Sequence, residues 1–273
     1  MKTDLNPLPK VVILAAGAGS RIRSLTDDCP KSLLEVAGKP ILEHMIRSCQ
    51  SCGLSEFILV VGHLNDRIRD FVAGAFPNLD VTYVANEKFA ETNTGYSLML
   101  AADALGGAGF IKFDADVVFE VQILRRLIRS DFATVLCFDR ATQSGADGVK
   151  VVVDDQLRVL HASKEVQPKK AQGELIGIEK IDAVAAALLF AELSQMMFDD
   201  THNQAYYESA YERLIARDIA LHSLDITGLN CTKVATHDDF VVANKMFRAR
   251  AKPAAPKHHH LLRASSIKAY KRT

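Results

Sequence analysis

The feature that most narrows the fold is a recurring pair: a short unbroken apolar run, then an amphipathic stretch of helical length. Residues Val11 to Ala15 read VVILA with no polar break, as expected of a strand covered on both faces, where in-out alternation disappears. Pro40 to Cys52 then reads as a helix. Pro40 suits its first position, Ile41, Met45, Ile46 and Cys49 form one apolar stripe, and Gly53 stops it. Phe57 to Val61 is the next expected strand, followed by a helix near Asp66 to Ala75. Further strands are expected at Val81 to Val84, Phe110 to Phe113 and Thr134 to Phe138, with helices near Gly95 to Ala104 and Val121 to Ser130 between them. Such spacing predicts right-handed βαβ units and a mostly parallel sheet in an α/β fold, with the loops after the strands collected along one ligand-binding edge.

Past Asp139 the pattern changes. Val149 to Val153 and Leu157 to His161, joined at Asp154-Asp155, predict a hairpin, and another strand is expected at Leu175 to Ile181. Helices at about Ala183 to Met197 and Ala205 to Ala216 follow, then a strand at Ile219 to Leu224 and a helix at Asp238 to Arg248. The organisation read from this is one unit over residues 1–250, with halves 11–139 and 140–250. A flexible Pro/Ala/Lys/His-rich tail is expected over 251–273, with its His258, His259 and His260 solvated.

Charge bounds the partners. Lys+Arg and Asp+Glu are equal at 33 each, so the molecule as a whole offers no field for nucleic acid or an anionic membrane, and any anion site must be local. No stretch approaches the roughly 18 apolar residues of a membrane span, and a cytoplasmic location is expected. The five cysteines are scattered, and Cys49-x-x-Cys52 lies in a helical pattern without a second pair, which favours ordinary thiols over a metal or redox site. Oligomeric state is left open, a homodimer included.

The segment after the first strand, Leu14-Ala15-Ala16-Gly17-Ala18-Gly19-Ser20-Arg21, places two glycines where backbone N–H groups would face an anion at close range. It is neither the Walker nor the dinucleotide pattern. Arg21 and Lys31 bracket the loop, so both cations would converge on phosphates held by the amides. A plain turn flanked by two solvated bases is the competing reading, weakened because turn and cations occur together.

The string LAAGAGSRI, with PKSLLEVAGKPIL after it, resembles the signature of the sugar-nucleotide and phosphocholine nucleotidyltransferase superfamily, LAAGxGxR followed by PKxLxxVxGKP. The resemblance implies a Rossmann-like sheet with a smaller β-hairpin and helical acceptor-binding portion. It also implies that Gly17, Gly19 and Arg21 grip the β- and γ-phosphates while Lys31 neutralises the α-phosphate. Leu14, Ala16 and Ser20 complete that part of the nucleotide site. Asn86, Thr92, Asn93, Thr94 and Ser97 correspond to the base and ribose contacts, and their N-T-x-x-S form is similar to the cytidylyltransferase branch. Capping of the following helix by Thr94 is the alternative for those positions.

In the run Phe113-Asp114-Ala115-Asp116-Val117 the family pattern GDVVF makes Asp116 the implied Mg²⁺ ligand, and strand alternation would bring Asp114 to the same face. Ser163-Lys164-Glu165, Gly173-Glu174-Leu175-Ile176-Gly177-Ile178, Tyr206-Tyr207-Glu208 and Asp225-Ile226-Thr227-Gly228-Leu229 resemble elements of phosphocholine-type cytidylyltransferases. They imply Lys164 on an acceptor phosphate, with Glu174, Tyr207, Glu208 and Tyr206 around a cationic head group. Ordinary core and rim packing of the tyrosines competes with this. One departure stands out: where the family reads W-x-E-I-D, this chain reads Cys231-Thr232-Lys233-Val234-Ala235. Ala235 falls at the second metal-ligating aspartate and Lys233 at the glutamate. Either Asp116, phosphates and water hold Mg²⁺ alone, or a neighbour such as Asp225 substitutes, or Lys233 replaces part of the metal's charge, or activity is altered.

The expected activity is transfer of CMP from CTP to a small phosphorylated alcohol or phosphonate, with release of pyrophosphate. A sugar-1-phosphate nucleotidyltransferase and a non-catalytic nucleotide sensor are the alternatives.

Overall fold

The unbroken apolar run becomes an interior strand of a nine-stranded sheet. A computed structural model describes residues 8–142, 148–198 and 204–251; the expected tail beyond Ala251, with His258, His259 and His260, lies outside the described residues. In chain order the first half comprises β1 (Lys10–Ala15), α1 (Arg23–Thr26), β2 (Glu35–Val36), β3 (Lys39–Pro40), α2 (Ile41–Ser51), β4 (Glu56–Val61), α3 (Asn65–Ala75) and β5 (Asp80–Ala85). Then come α4 (Thr94–Leu100), α5 (Ala102–Leu105), β6 (Phe110–Asp114), β7 (Val117–Phe119), α6 (Val121–Arg129) and β8 (Val135–Asp139). The second half adds β9 (Lys150–Val153), β10 (Val159–Ser163), β11 (Gly173–Ile181), α7 (Ala183–Met197), α8 (Glu208–Ala216), β12 (His222–Asp225), β13 (Cys231–Lys233) and α9 (His237–Ala251).

The sheet runs β10-β9-β11-β6-β1-β4-β5, with β8 on β11 and β12 on β8. Strands β1, β4, β5 and β6 are parallel neighbours, whereas β11 runs antiparallel to β6, β8 and β9. Alternate residues of β1 explain its composition. Val11, Ile13 and Ala15 enter the core under α2 and α6, while Val12, Leu14 and the following Ala16 enter the core under α4, α7 and α8. Burying each such side chain stabilises the fold by about 1.5–3 kcal/mol, so neither face tolerates a polar residue.

Local chemistry accounts for the differences from expectation. Pro40 ends β3 and caps α2 rather than opening it, because its ψ of 144° is extended. The expected helix from Gly95 breaks at Ala101 into α4 and α5. The expected helix from Ala205 starts only at Glu208, since Ala205 lends its carbonyl to the Gly95 amide at 3.1 Å. Strand β7 and its partner β13 were not expected. They form a separate two-stranded ladder in which Val117 pairs with Lys233. Among the described residues no helix is long and apolar enough to cross a membrane. Cys49 and Cys52 are free thiols, and burial of Cys49 in the core pushes its pKa up.

Candidate active site

The loop after β1 opens one side of a cleft at the strand C-termini. A Cβ built on Gly17 would meet no atom within 4 Å, and Gly19 sits at φ +64°, a conformation that favours glycine. The carbonyls on the inner side of the bend are taken: Ala16 accepts from the His63 amide, and Gly19 from the Ile22 amide. Lys31 reaches back to this bend, its Cβ 3.4 Å from where a side chain on Gly19 would begin. Its Nζ lies 2.6 Å from Asp116 Oδ2, and both side chains are less than one-fifth exposed. The other oxygen of Asp116, Oδ1, is buried without a hydrogen-bond partner. Arg21 is exposed and near enough to Tyr206 to lower its pKa.

Next to the loop a pocket is lined by Leu14, Ala16 and Gly17 on one side and by Asn86, Phe89, Thr92, Asn93, Thr94 and Ser97 on the other. Asn86 organises the second group: its Nδ2 donates to Thr92 Oγ1 at 3.1 Å and Ser97 Oγ at 3.0 Å, while its Oδ1 accepts from the Lys88 amide. Asn93, not Thr94, caps α4, its Oδ1 accepting from the Thr94 amide. Thr94 instead bonds the Tyr207 amide, so the mouth of the pocket is tied to the second half of the chain. No side chain fits at Gly95, because a Cβ would lie 2.7 Å from the Ala205 carbonyl oxygen.

The two adjacent tyrosines part company here. Tyr206 is 39% exposed, with the Lys164 ammonium 3.8 Å above its ring. Burial opposes ionisation of its phenol. Hydrogen bonds with Asn93 and Lys164, and the charges of Lys164 and Arg21, outweigh that and lower its pKa. Tyr207 is 1% exposed. The Lys112 ammonium already lies 3.6 Å from its ring centre, and its hydroxyl donates to Asp114. Tyr206, not Tyr207, is the exposed one, and it bonds Asn93 of the pocket lining.

Beneath Tyr207 runs a seam of buried charge. Lys112 is wholly buried and pairs with Asp114 at 2.8 Å and with Glu179 at 2.7 Å. A lysine inside the apolar run Phe110-Ile111-Lys112-Phe113 was the one sequence signal for this seam, since a buried ammonium demands a carboxylate. Asp114 also accepts from Lys233 Nζ at 2.9 Å. Burial opposes its charge, but Lys112 and Lys233 overcome this and hold its pKa well below the ordinary carboxylate range. Gly177 on β11 makes room for the arrangement, as a Cβ there would run into the Asp114 carboxylate. Glu208, the first residue of α8, is 7% exposed, and burial raises its pKa; its Oε2 has no hydrogen-bond partner. Glu174 is 6% exposed and packs against Gly148. Lys150 Nζ ties the Gly148 carbonyl to that of Lys164, so Glu174 and Lys164 share a neighbourhood at the β9–β10 end.

The donor set decides how a divalent ion would fare. Asp114 closes β6 and Asp116 falls in the turn before β7, so the alternation expected to bring them to one face does not extend that far. The oxygens of Asp114 are engaged by Lys112, Lys233 and Tyr207. Asp225, a proposed substitute, is engaged by Arg140 at 2.6 Å and by the Thr227 amide. Among the described residues no group of three or more His, Cys, Asp or Glu is arranged to hold a metal. A hard dication seeks carboxylate oxygens and is repelled by adjacent ammonium groups. These residues do not supply a protein seat for Mg²⁺; of the two aspartates, Asp116 alone has an unpartnered oxygen, Oδ1, and that atom is buried.

Comparison with known proteins bears on the same region. A family model described as a MobA-like NTP transferase domain matches residues 11–171. CMP-5'-(3-aminopropyl)phosphonate synthase of Streptomyces rubellomurinus is 35% identical over 54% of this chain and 25% of its own length. Choline-phosphate cytidylyltransferase of Streptococcus pneumoniae is 33% identical over 46% of this chain and 53% of its own length. The chain thus spans a quarter to about half of these curated relatives. The solved CTP:phosphocholine cytidylyltransferase of Streptococcus pneumoniae shares the fold, with a TM-score of 0.71 at 22% identity over 88% of this chain and 100% of that one.

Proposed function

Because the chain belongs to the family of MobA-like NTP transferase domains, we propose that it transfers CMP from CTP to a small phosphorylated alcohol or phosphonate, phosphocholine being the first candidate, and releases pyrophosphate. The observation that carries this reading is the meeting of three features at one cleft. The glycine bend opens beside the Lys31–Asp116 pair, and the polar pocket of Asn86, Thr92, Asn93, Thr94 and Ser97 adjoins it. The bend suits a triphosphate and the pocket a pyrimidine ribonucleoside.

The acceptor phosphate has a second pKa of about 6 and is already a dianion near neutrality, so no general base is required. Its oxygen attacks the α-phosphorus in line with the departing pyrophosphate. Lys31 and Arg21 take up negative charge as it spreads over the phosphates, while the backbone of residues 17–20 holds them in register. Residues 140–250 bring the acceptor: Lys164 beside Tyr206 takes its phosphate. Nucleotidyltransferases of this family generally use divalent metal ions. Mg²⁺ would arrive bound to the triphosphate and supply positive charge to its oxygens.

A second reading, a nucleotide sensor without turnover, is favoured by Ala235 in place of an aspartate and by the engagement of Asp114 with Lys112, Lys233 and Tyr207. Pyrophosphate release measured with CTP, UTP, dTTP and GTP against phosphocholine, 2-aminoethylphosphonate, inositol phosphate and hexose 1-phosphates separates the readings. Turnover with CTP and a phosphorylated alcohol or phosphonate is expected. Turnover only with a hexose 1-phosphate replaces the substrate class, and nucleotide binding without any turnover establishes the sensor.

A further inference from the structure

Lys233 and its surroundings carry an inference that rests on the nucleotidyl-transfer reading and deepens it. Lys233 ends β13, where it pairs with Val117, the residue directly after Asp116. The next amide, Val234 N–H, donates to the Asp116 carbonyl at 2.8 Å, which pins the segment on both sides of that turn. The backbone that carries the lysine is therefore fixed beside Asp116. Its Nζ lies 2.9 Å from Asp114 Oδ2, with the Lys233 side chain 35% exposed and that of Asp114 only 15%. Lys112 holds Asp114 from the buried side, and Lys233 closes it on the open side.

We propose that the Lys233 ammonium is a built-in cation standing where a protein-held divalent ion would have to sit between Asp114 and the cleft. The chain then binds its nucleoside triphosphate through fixed ammonium groups, Lys233 with Lys31, in place of a metal shared by two carboxylates. Lys233 adds one positive charge to that of Lys31, part of what a divalent ion would supply. An ammonium is also a compact point charge suited to phosphate. Being tethered, it needs no recruitment from solution. Ala235, two residues on, completes the picture, since an alanine offers no ligand to a metal in that position.

The test uses the full chain and two readouts besides turnover: CTP affinity by titration calorimetry in EDTA and in Mg²⁺, and Mn²⁺ binding without nucleotide by electron paramagnetic resonance. Wild type is expected to bind CTP in EDTA within about threefold of its affinity in Mg²⁺, and to leave the free Mn²⁺ signal undiminished. Lys233→Gln keeps a hydrogen-bond donor toward Asp114 but removes the charge, and should weaken CTP binding in EDTA by about 10- to 100-fold. Lys233→Arg should recover most of that loss. The double variant Lys233→Glu with Ala235→Asp should gain Mn²⁺ binding and a melting temperature that rises on adding Mn²⁺. Wild-type CTP binding that requires a divalent ion and is indifferent to Lys233→Gln overturns this proposal alone. A wild-type chain that binds none of CTP, UTP, ATP or GTP overturns the transferase reading and this inference with it.

Discussion

The two walls of the cleft spend the same residue types differently. On the wall of the glycine bend, Gly17 faces open space, Lys31 sits at the bend with Asp116, and the amide of Asn86 arranges two hydroxyls. On the facing wall, Lys112, Asp114, Glu179 and Tyr207 are turned inward and pair with one another, while Tyr206 and Lys164 stand at the rim. The first wall sets its polar groups, although bonded to one another, around a pocket. The second consumes most of them to make buried charge tolerable, since an unpaired buried ion costs several kcal/mol. Resemblance to a motif therefore says which residues gather, while burial says which of them still have anything to offer.

The sharpest way to break this contrast is to compare the neighbouring tyrosines. Tyr207→Ala should cost about 3–5 kcal/mol of stability, for the cavity and the hydroxyl lost from Asp114. That corresponds to a melting temperature lower by roughly 10 °C in thermal denaturation; an unchanged melting temperature would show that Tyr207 is not a core residue. Lys31→Ala tests the other wall. It should lower kcat/KM for pyrophosphate release by about 10²–10³ with the fold intact by circular dichroism, and near-wild-type turnover would remove Lys31 from the chemistry. Tyr206→Phe should act on acceptor KM alone. Loss of its bonds to Asn93 and Lys164 is worth about 1 kcal/mol, or roughly fivefold, and an equal fall in kcat would assign it to the transition state instead.

The smallest effect concerns the seam. Burial, only partly offset by Lys112, pushes the Glu179 pKa from 4.5 up to about 7. Between those values the folded chain holds a proton that the unfolded chain has lost, so this group's stabilisation is greatest below about pH 4.5, fades as pH rises toward 7 and is level above it. Glu179→Gln should flatten that part of the curve of melting temperature against pH. A slope identical to wild type between those values means Glu179 is ionised throughout and the seam is a conventional ion pair.

Much of this architecture was legible in residue order. VVILA announced a strand with two covered faces, and the strand and helix spacing to Asp139 announced the parallel part of the sheet. The glycine bend with Lys31 was equally plain, because it depends on neighbours a few residues apart. The β7–β13 ladder was not legible: its strands are three residues each and lack a period of their own. Asp114 and Asp116 were expected to alternate on one strand, and no local signal announced that β6 stops at the first of them.

What residue order determined by itself was the layered α/β plan and the bend of amides beside Lys31, since periodicity, turn chemistry and apolar runs act within a few residues. What only the tertiary structure decided was which carboxylate keeps an unpartnered oxygen and which tyrosine is exposed. Those outcomes rest on contacts such as Tyr207 with Asp114, 93 residues apart, and Lys233 with Asp114, 119 apart. Whether a charge is spent inward or left at the rim depends on its burial and its partner, and both come from chain that is distant in sequence.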